Sequence, residues 1–431
     1  MKIFIRNHVT LTNPQLEISS KEKTILRGLA AEVAEIALSP IHEQKKQLWR
    51  QLNDLESVRP LVWINEIPWH EMNFNDELTL QTGNESCRQI ETELRQTIYQ
   101  WRHLPGDMIV EPKYFSPLVI RDSGFGIQEQ TDIVRYDEKN NIISKDFYPQ
   151  IQDEKDIEKI RDPIIIYDED VSECYFRFLC ELFGDILHVE KRGIIRFWFA
   201  PWDELVTWYG VEEALTDLVL RPELVHLAID RLVNAHLARL DQYESLNLFS
   251  FSEGNFRVGS GGLGYTKELP KANFDTNRVR TVDQWGFATA QIFCDVSPEM
   301  HEEFSLQYEK RWLERFGLNY YGCCEPLHHK IHILKSIPNL RKISMSPWID
   351  VEKAVGNVGD HYVFSFKPNP AILATVDWNP ELARKNLEEV LEKARGCCVE
   401  VILKDISTVR YQPQRLWEWE KMAMEVVEKY N

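Results

Sequence analysis

The spacing of apolar and polar positions divides the chain into two unlike parts. Over roughly the first 58 residues the apolar period is helical. Ser19 or Ser20 is placed to cap a helix running to about Leu38, with Ile25, Leu26, Leu29, Val33 and Ile36 on one face. Pro40 ends that helix, and a second, charged one over about 41–55 carries Leu48 and Leu52 four apart. From Arg59-Pro60 onward, short apolar runs alternate with helical stretches. The runs predict strands at 61–64, 108–110, 194–199, 246–251, 290–293, 318–321, 342–345, 362–366 and 400–403.

Helix starts between these strands are marked by a small polar residue followed by proline, at Ser297-Pro298, Ser346-Pro347, Asn369-Pro370 and Asn379-Pro380. Proline at the first helical position gives up no hydrogen bond, because that N–H has no partner within the helix. Gly396 fits the left-handed position that closes the helix from Pro380, and a last helix spans about 414–428. Strand and helix in alternation predict a parallel sheet. Eight or nine strands over about 350 residues fit a (β/α)8 TIM-type barrel, with an open doubly wound sheet as the alternative. The division expected is a helical N-terminal extension, 1–58, packed on a single barrel, 59–431. Residues 120–170 interrupt the alternation. There VRYDEKNNIISKDFYP reads as two strands around an Asn140-Asn141 turn, followed by an acidic, lysine-rich stretch to Arg161. This insertion fits either a lid or a dimer contact.

Composition narrows the class. The 431 residues carry 50 Lys and Arg against 68 Asp and Glu, a net charge of −18. Nucleic-acid binding needs a basic stripe that displaces counterions, so no nucleic-acid partner is expected. Attraction to anionic lipid is excluded on the same ground, and no apolar run approaches the length of a membrane span. The N-terminus lacks the long apolar core and small-residue cleavage site of a signal peptide. The eight cysteines are scattered, with no CxxC, and read as reduced thiols in the cytoplasm.

Candidate chemistry gathers at predicted strand ends. Gly259-Ser-Gly261-Gly-Leu-Gly264 matches GxGxxG, but Pro270 follows where a dinucleotide site needs a helix. A mobile glycine-rich loop is expected there instead, able to close over a ligand at the rim of a barrel. Tyr321-Gly322-Cys323-Cys324-Glu325 lies just past a strand, where barrel active sites are built, with His328, His329 and His332 nearby. Thiols, a carboxylate and imidazoles together suit a catalytic zinc. Two buried cysteines acting as small hydrophobes explain the same residues. Lys404-Asp405 follows the last strand, and Lys367 and Asn369 follow the one before it. Tryptophan is over-used, with 13 residues, and Trp63 and Trp198 stand at strand ends. Core packing is the default reading; a cluster at the rim would also form an aromatic wall for a flat or cationic ligand.

These segments resemble the uroporphyrinogen decarboxylase superfamily, which includes corrinoid-linked methyltransferases of the methylcobamide:coenzyme M type. The resemblance rests on Arg59-Pro60-Leu61-Val62-Trp63, Phe199-Ala200-Pro201-Trp202, Ser297-Pro298-Glu299-Met300 with Phe304, and Tyr321-Gly322-Cys323-Cys324 in place of a His-x-Cys-Gly. It implies a (β/α)8 barrel over about 42–431. Decarboxylases of the family follow the first strand with arginines that hold substrate carboxylates, whereas this chain has Ile64-Asn65-Glu66-Ile67-Pro68-Trp69. A polyanionic tetrapyrrole would meet repulsion from that carboxylate.

The resemblance therefore implies a methyltransferase moving a methyl group between a small substrate and a corrinoid. Cys323, Glu325 and Asp405 would be catalytic and would hold zinc. Trp63, Asn65, Glu66, Trp198, Tyr321, Lys367, Asn369 and Lys404 would bind substrate. A corrinoid protein would be the partner, and a homodimer is compatible. The alternatives are a carboxy-lyase using Lys367, Lys404, Arg257 and Lys267 as cations, and a non-catalytic binding protein of a corrinoid system.

Overall fold

The computed structural model describes residues 18–134 and 144–430. The opening segment and the Asn140-Asn141 turn lie outside the described residues. Strands in chain order are β1 (Leu61–Ile64), β2 (Lys113–Pro117), β3 (Ile120–Asp122), β4 (Thr131–Val134), β5 (Ser144–Phe147), β6 (Ile165–Tyr167), β7 (His188–Arg192), β8 (Trp285–Ala288), β9 (Leu318–Tyr321), β10 (Leu340–Met345), β11 (Val363–Phe366) and β12 (Cys398–Leu403).

Six of them form one parallel sheet in the order β1-β12-β11-β10-β9-β8. Helices return the chain between successive strands, as in Pro380–Lys393 between β11 and β12. The outer face of the sheet is apolar and meets this helical layer. Ile343, Met345, Phe364, Phe366, Val399, Val401 and Leu403 all join the main core there. The inner face carries the residues between them, and these are largely polar. Ser344 sits opposite Ser365, and Ser365 opposite Glu400, across three neighbouring strands.

The sheet does not close into a ring of eight laddered strands among the described residues. Two of the expected strands, at 194–199 and 246–251, meet only at the bridge Ile194–Phe249. The 194–199 segment still abuts β8, since Thr289 N donates to Phe199 O at 3.2 Å. The expected strand at 108–110 is absent. Asp107 takes its place beside β1, accepting from Val62 N through Oδ2 at 2.7 Å and donating its own N–H to Val62 O at 2.8 Å. A carboxylate there satisfies backbone groups that a strand would otherwise pair. The run at 290–293 is a short helical turn, and the strand lies earlier, in β8.

The N-terminal helices serve two ends of the molecule. Ser20–Ala37 opens with Ser19 and Glu22 capping each other, and its face of Leu26, Ala30 and Val33 packs into a second core with the helices Glu85–His103 and Glu169–Phe183. Helix Ile41–Asn53 places Trp49 under the N-terminal end of the sheet, against Leu61, Val363 and Cys398. In the insertion, β4 and β5 pair antiparallel, as expected. The same stretch packs on the helical layer: Gln150 N and Ile151 N donate to Trp208 O, and Arg231 Nε donates to Ile160 O. One expected cap is displaced. The helix after β10 begins at Val351, capped by Asp350, not at Pro347. No helix among the described residues is long and apolar enough to cross a membrane.

Candidate active site

The glycine-rich segment fills the inner face of the sheet, contrary to the expectation of a mobile loop. A Cβ on Gly261 would stand 2.4 Å from Glu400 Oε1 and 2.5 Å from Tyr320 Cε2; one on Gly262 would stand 2.3 Å from Trp49 Cη2. Glycine is required here because the backbone lies directly on β9 and β12 side chains. Ser260 Oγ donates to Gly322 O at 3.1 Å and contacts Tyr320 OH at 3.0 Å, tying the segment to the turn that carries the thiols. Beneath it, Lys342 Nζ donates to Glu400 Oε2 at 2.8 Å, both side chains being inaccessible to solvent.

At the C-terminal ends of the strands the inner face opens onto a cluster of charges. Glu66 after β1 and Asp405 after β12 both have left-handed backbones, with φ of 53° and 55°. For non-glycine residues this conformation is costly and is common at functional sites. Asp405 N donates to Glu66 Oε2 at 3.1 Å, so the two turns are latched together. Arg257 Nη1 donates to Glu66 Oε1 at 2.6 Å. Lys404, buried at the end of β12, pairs with Asp405 and lies 3.9 Å from Glu66 Oε2. Burial opposes ionisation of Glu66, but Arg257 and Lys404 outweigh it and hold this carboxyl well below its usual range.

The two thiols adjoin this cluster. Cys323 Sγ lies 3.5 Å from Cys324 Sγ, and Cys324 Sγ lies 3.5 Å from Asp405 Oδ2 and 3.7 Å from Lys404 Nζ. The hydrogen bond from Cys324 lowers the Cys323 thiol's pKa; burial opposes the shift and Lys404 adds to it. The same contact, with burial, pushes the Cys324 thiol up, so of the two sulfurs Cys323 is the more readily deprotonated. Burial works against the Lys404 ammonium, yet Cys323 and Glu66 raise its pKa above the ordinary lysine range.

Lys367 completes the floor. Its Nζ donates to Ser365 Oγ at 2.6 Å, to Ser365 O at 2.8 Å and to Tyr320 OH, and it has no carboxylate in salt-bridge contact. Burial pushes its pKa down to about 7; Glu400 opposes the shift, and the positive charges of Lys404 and Arg257 add to it.

Several expected site residues stand elsewhere. Glu325 is buried away from the thiols' open side, accepting from Cys323 N at 2.9 Å and from Thr289 Oγ1 at 2.8 Å. It is a brace for the turn. Tyr321 faces the helical layer, where its OH donates to Glu309 Oε2 at 2.7 Å and contacts His301 Nε2 at 2.7 Å. The strand's alternation explains this, since Tyr320 points inward. Asn369 is exposed and caps the short helix Ala371–Ala374 through Ala371 N. Asn65 Oδ1 accepts from Glu66 N, shaping the turn. Trp63 packs beside Trp49's cluster, and Trp198 lies against the Phe287 ring at 4.4 Å. His328 and His329 contact each other, not the thiols. Lys267 pairs with Glu56 on the surface.

The expected zinc set of Cys323, Glu325 and Asp405 does not assemble. Both Glu325 oxygens are engaged, and among the described residues no three His, Cys, Asp or Glu side chains come together to hold a metal ion. The Lys404 ammonium already stands between thiol and carboxylates, supplying the positive charge a zinc ion would bring. The residues missed from sequence are Arg196, Ser260, Tyr320, Ser365 and the Lys342–Glu400 pair. Their signal was parity, because Lys342 and Ser344, Ser365 and Lys367, and Glu400 and Lys404 recur at even spacing in otherwise apolar strands.

No protein-family model matches this sequence, and no curated protein does. Among solved structures, the fold is similar to a methyltransferase from Methanosarcina mazei, at 11% identity and a TM-score of 0.48 over 89% of this chain and 98% of that one. A likeness at that level carries no weight for activity.

Proposed function

We propose that this chain is a methyltransferase that moves a methyl group between a small substrate and a corrinoid held by a partner protein. The single observation that carries the reading is the Cys323–Cys324 thiol pair, 3.5 Å apart beside Lys404 and Asp405 at the C-terminal end of a parallel sheet, with the Cys323 pKa lowered by its neighbour. The sequence resemblance supports the methyl-transfer class. In this reading the Cys323 thiolate takes the proton from the accepting group of the substrate. A thiol whose pKa is lowered suits that task. The Lys404 charge favours the thiolate, and Ser260 of the glycine segment holds the turn that carries it. We further infer a (β/α)8 ring for the whole architecture. The winding of β8 through β12 onto β1 and the Phe199–Thr289 contact support that inference. Eight free cysteines support a reducing, cytoplasmic location.

A second reading, a carboxy-lyase, is favoured by Lys367, whose pKa of about 7 suits a proton donor to a carbanion left by decarboxylation.

Methylcobalamin turnover followed by its visible spectrum tests the first reading. Cys323→Ser should lose activity on the order of a hundredfold or more. An unchanged rate sinks the thiolate. Product analysis after incubation with porphyrinogen tests the second. Capture of a corrinoid protein without any turnover would favour a binding role instead.

A further inference from the structure

We infer that the substrate of this site is a small carboxylate whose anionic end is received between Arg196 and Arg257, beside Lys367. The inference rests on the catalytic reading above and names its substrate class. It starts from donors that lack acceptors. The Arg196 guanidinium makes no hydrogen bond or ion pair with any described residue; the charges it feels are Arg257 and Glu66. Arg257 is 8% exposed and spends Nη1 on Glu66, while its Nε is buried without a partner. Trp198 Nε1 is a third buried donor with no acceptor.

Parity brings these groups to one side. Phe197 and Phe199 point outward, stacking with Phe249 and Trp312 of the helical core. Arg196 and Trp198 therefore face inward, where Trp198 meets Phe287 of β8. Arg196 is half-buried there, feels the Glu66 charge and has no hydrogen-bond partner among the described residues.

Arg196, Arg257 and Lys404 gather on one side of the site, and Glu66 answers both Arg257 and Lys404. Lys342 and Glu400 cancel below. Lys367 stands beside them, donating to Ser365 and Tyr320. A planar carboxylate also matches the fork geometry of a guanidinium.

The test uses iodoacetate, itself a small monocarboxylate, against neutral iodoacetamide. In both, the Cys323 sulfur bonds to the methylene carbon and iodide leaves with the electron pair. Labelling is read by mass spectrometry of the Cys323 peptide. A thiolate in open solvent gains nothing from the carboxylate, because like charges repel. Here iodoacetate should react faster by at least about tenfold, a margin of roughly 1.4 kcal/mol. Arg196→Gln should abolish that preference, read as the ratio of the two rates within the variant, while Arg196→Lys should retain part of it. No preference in the parent chain, or a preference intact in Arg196→Gln, overturns the inference. If circular dichroism shows Arg196→Gln unfolded, an undiminished preference in Arg196→Lys overturns it instead. If neither reagent labels Cys323, the thiolate reading fails, and calorimetry decides the carboxylate separately. Saturable binding of butyrate but not butyramide, weakened at least about tenfold in the variant, upholds it; equal or absent binding refutes it.

Discussion

Arg257 Nη1 and Glu66 Oε1 stand 2.6 Å apart across 191 residues of chain. That contact changes what Glu66 means for the site. From sequence, Glu66 was a carboxylate standing where relatives of the implied family keep arginines, and it argued against an anionic substrate. In the structure its charge is answered by Arg257 and by Lys404, and both cations remain at the mouth of the strands. Two cations reach the turn after β1, one from a distant loop and one from the end of β12. The repulsion once set against anionic substrates no longer follows.

Glu66→Gln should destabilise the protein and flatten its acid response. The carboxyl has a folded pKa well below its unfolded value of about 4.3, so its stabilisation is fully present above that pH and lost as pH falls through the folded value. Its side chain is 27% exposed, so solvent screening trims the loss to about 1–2 kcal/mol at neutral pH. Urea unfolding at pH 7 and pH 3 measures this. The gap between parent and variant should narrow at the lower pH; a gap that widens means the ion pair is not the source.

Lys404→Met should raise the pH at which Cys323 alkylates. The ammonium favours the thiolate, so its removal moves the reactivity midpoint upward. The pH profile of iodoacetamide labelling reads the shift directly. A midpoint that stays put would assign the activation to the Cys324 hydrogen bond alone.

Much of this architecture was legible in the sequence. β1 and β9 fall on their expected residues, and β10, β11 and β12 fall within two residues of theirs, because long apolar runs between capped helices leave little choice. The thiol turn and Lys404 were legible as residues just beyond strands. What sequence hid was direction and reach. Tyr320 and Tyr321 are adjacent and chemically alike, yet one lines the inner face and the other is buried against His301 and Glu309. The glycine segment read as loose because glycines are flexible in isolation. It is held because only a bare backbone fits over Glu400 and Tyr320. Asp107 and Arg257 act through partners 45 and 191 residues away, a distance no local pattern encodes.

Lys342→Met should cost about 3–5 kcal/mol of stability, since it leaves Glu400 charged and buried without its cation. Replacing both, as Lys342→Met with Glu400→Leu, should recover much of that loss, because two apolar groups need no pairing. Denaturant melts of the single and double variants give the coupling energy. Additive losses would mean that the pair is not energetically linked.

Two glycine substitutions separate packing from chain entropy. Gly28 lies within helix Ser20–Ala37, and a methyl group added to it would meet nothing within 4 Å, so Gly28→Ala should stabilise by about 0.5–1 kcal/mol. Gly261→Ala meets Glu400 Oε1 at 2.4 Å and Tyr320 Cε2 at 2.5 Å. Neither neighbour can yield freely, since Glu400 is fixed by Lys342 and Tyr320 by Ser260, Ser365 and Lys367. A loss of about 1–3 kcal/mol follows from overpacking. Because Ser260 ties this segment to the turn before Cys323, the thiol should also lose its fast alkylation in Gly261→Ala and keep it in Gly28→Ala. Thermal melts and labelling rates on the two variants measure both effects. Equal behaviour of the two would show that the glycine segment neither supports the sheet nor positions the thiol.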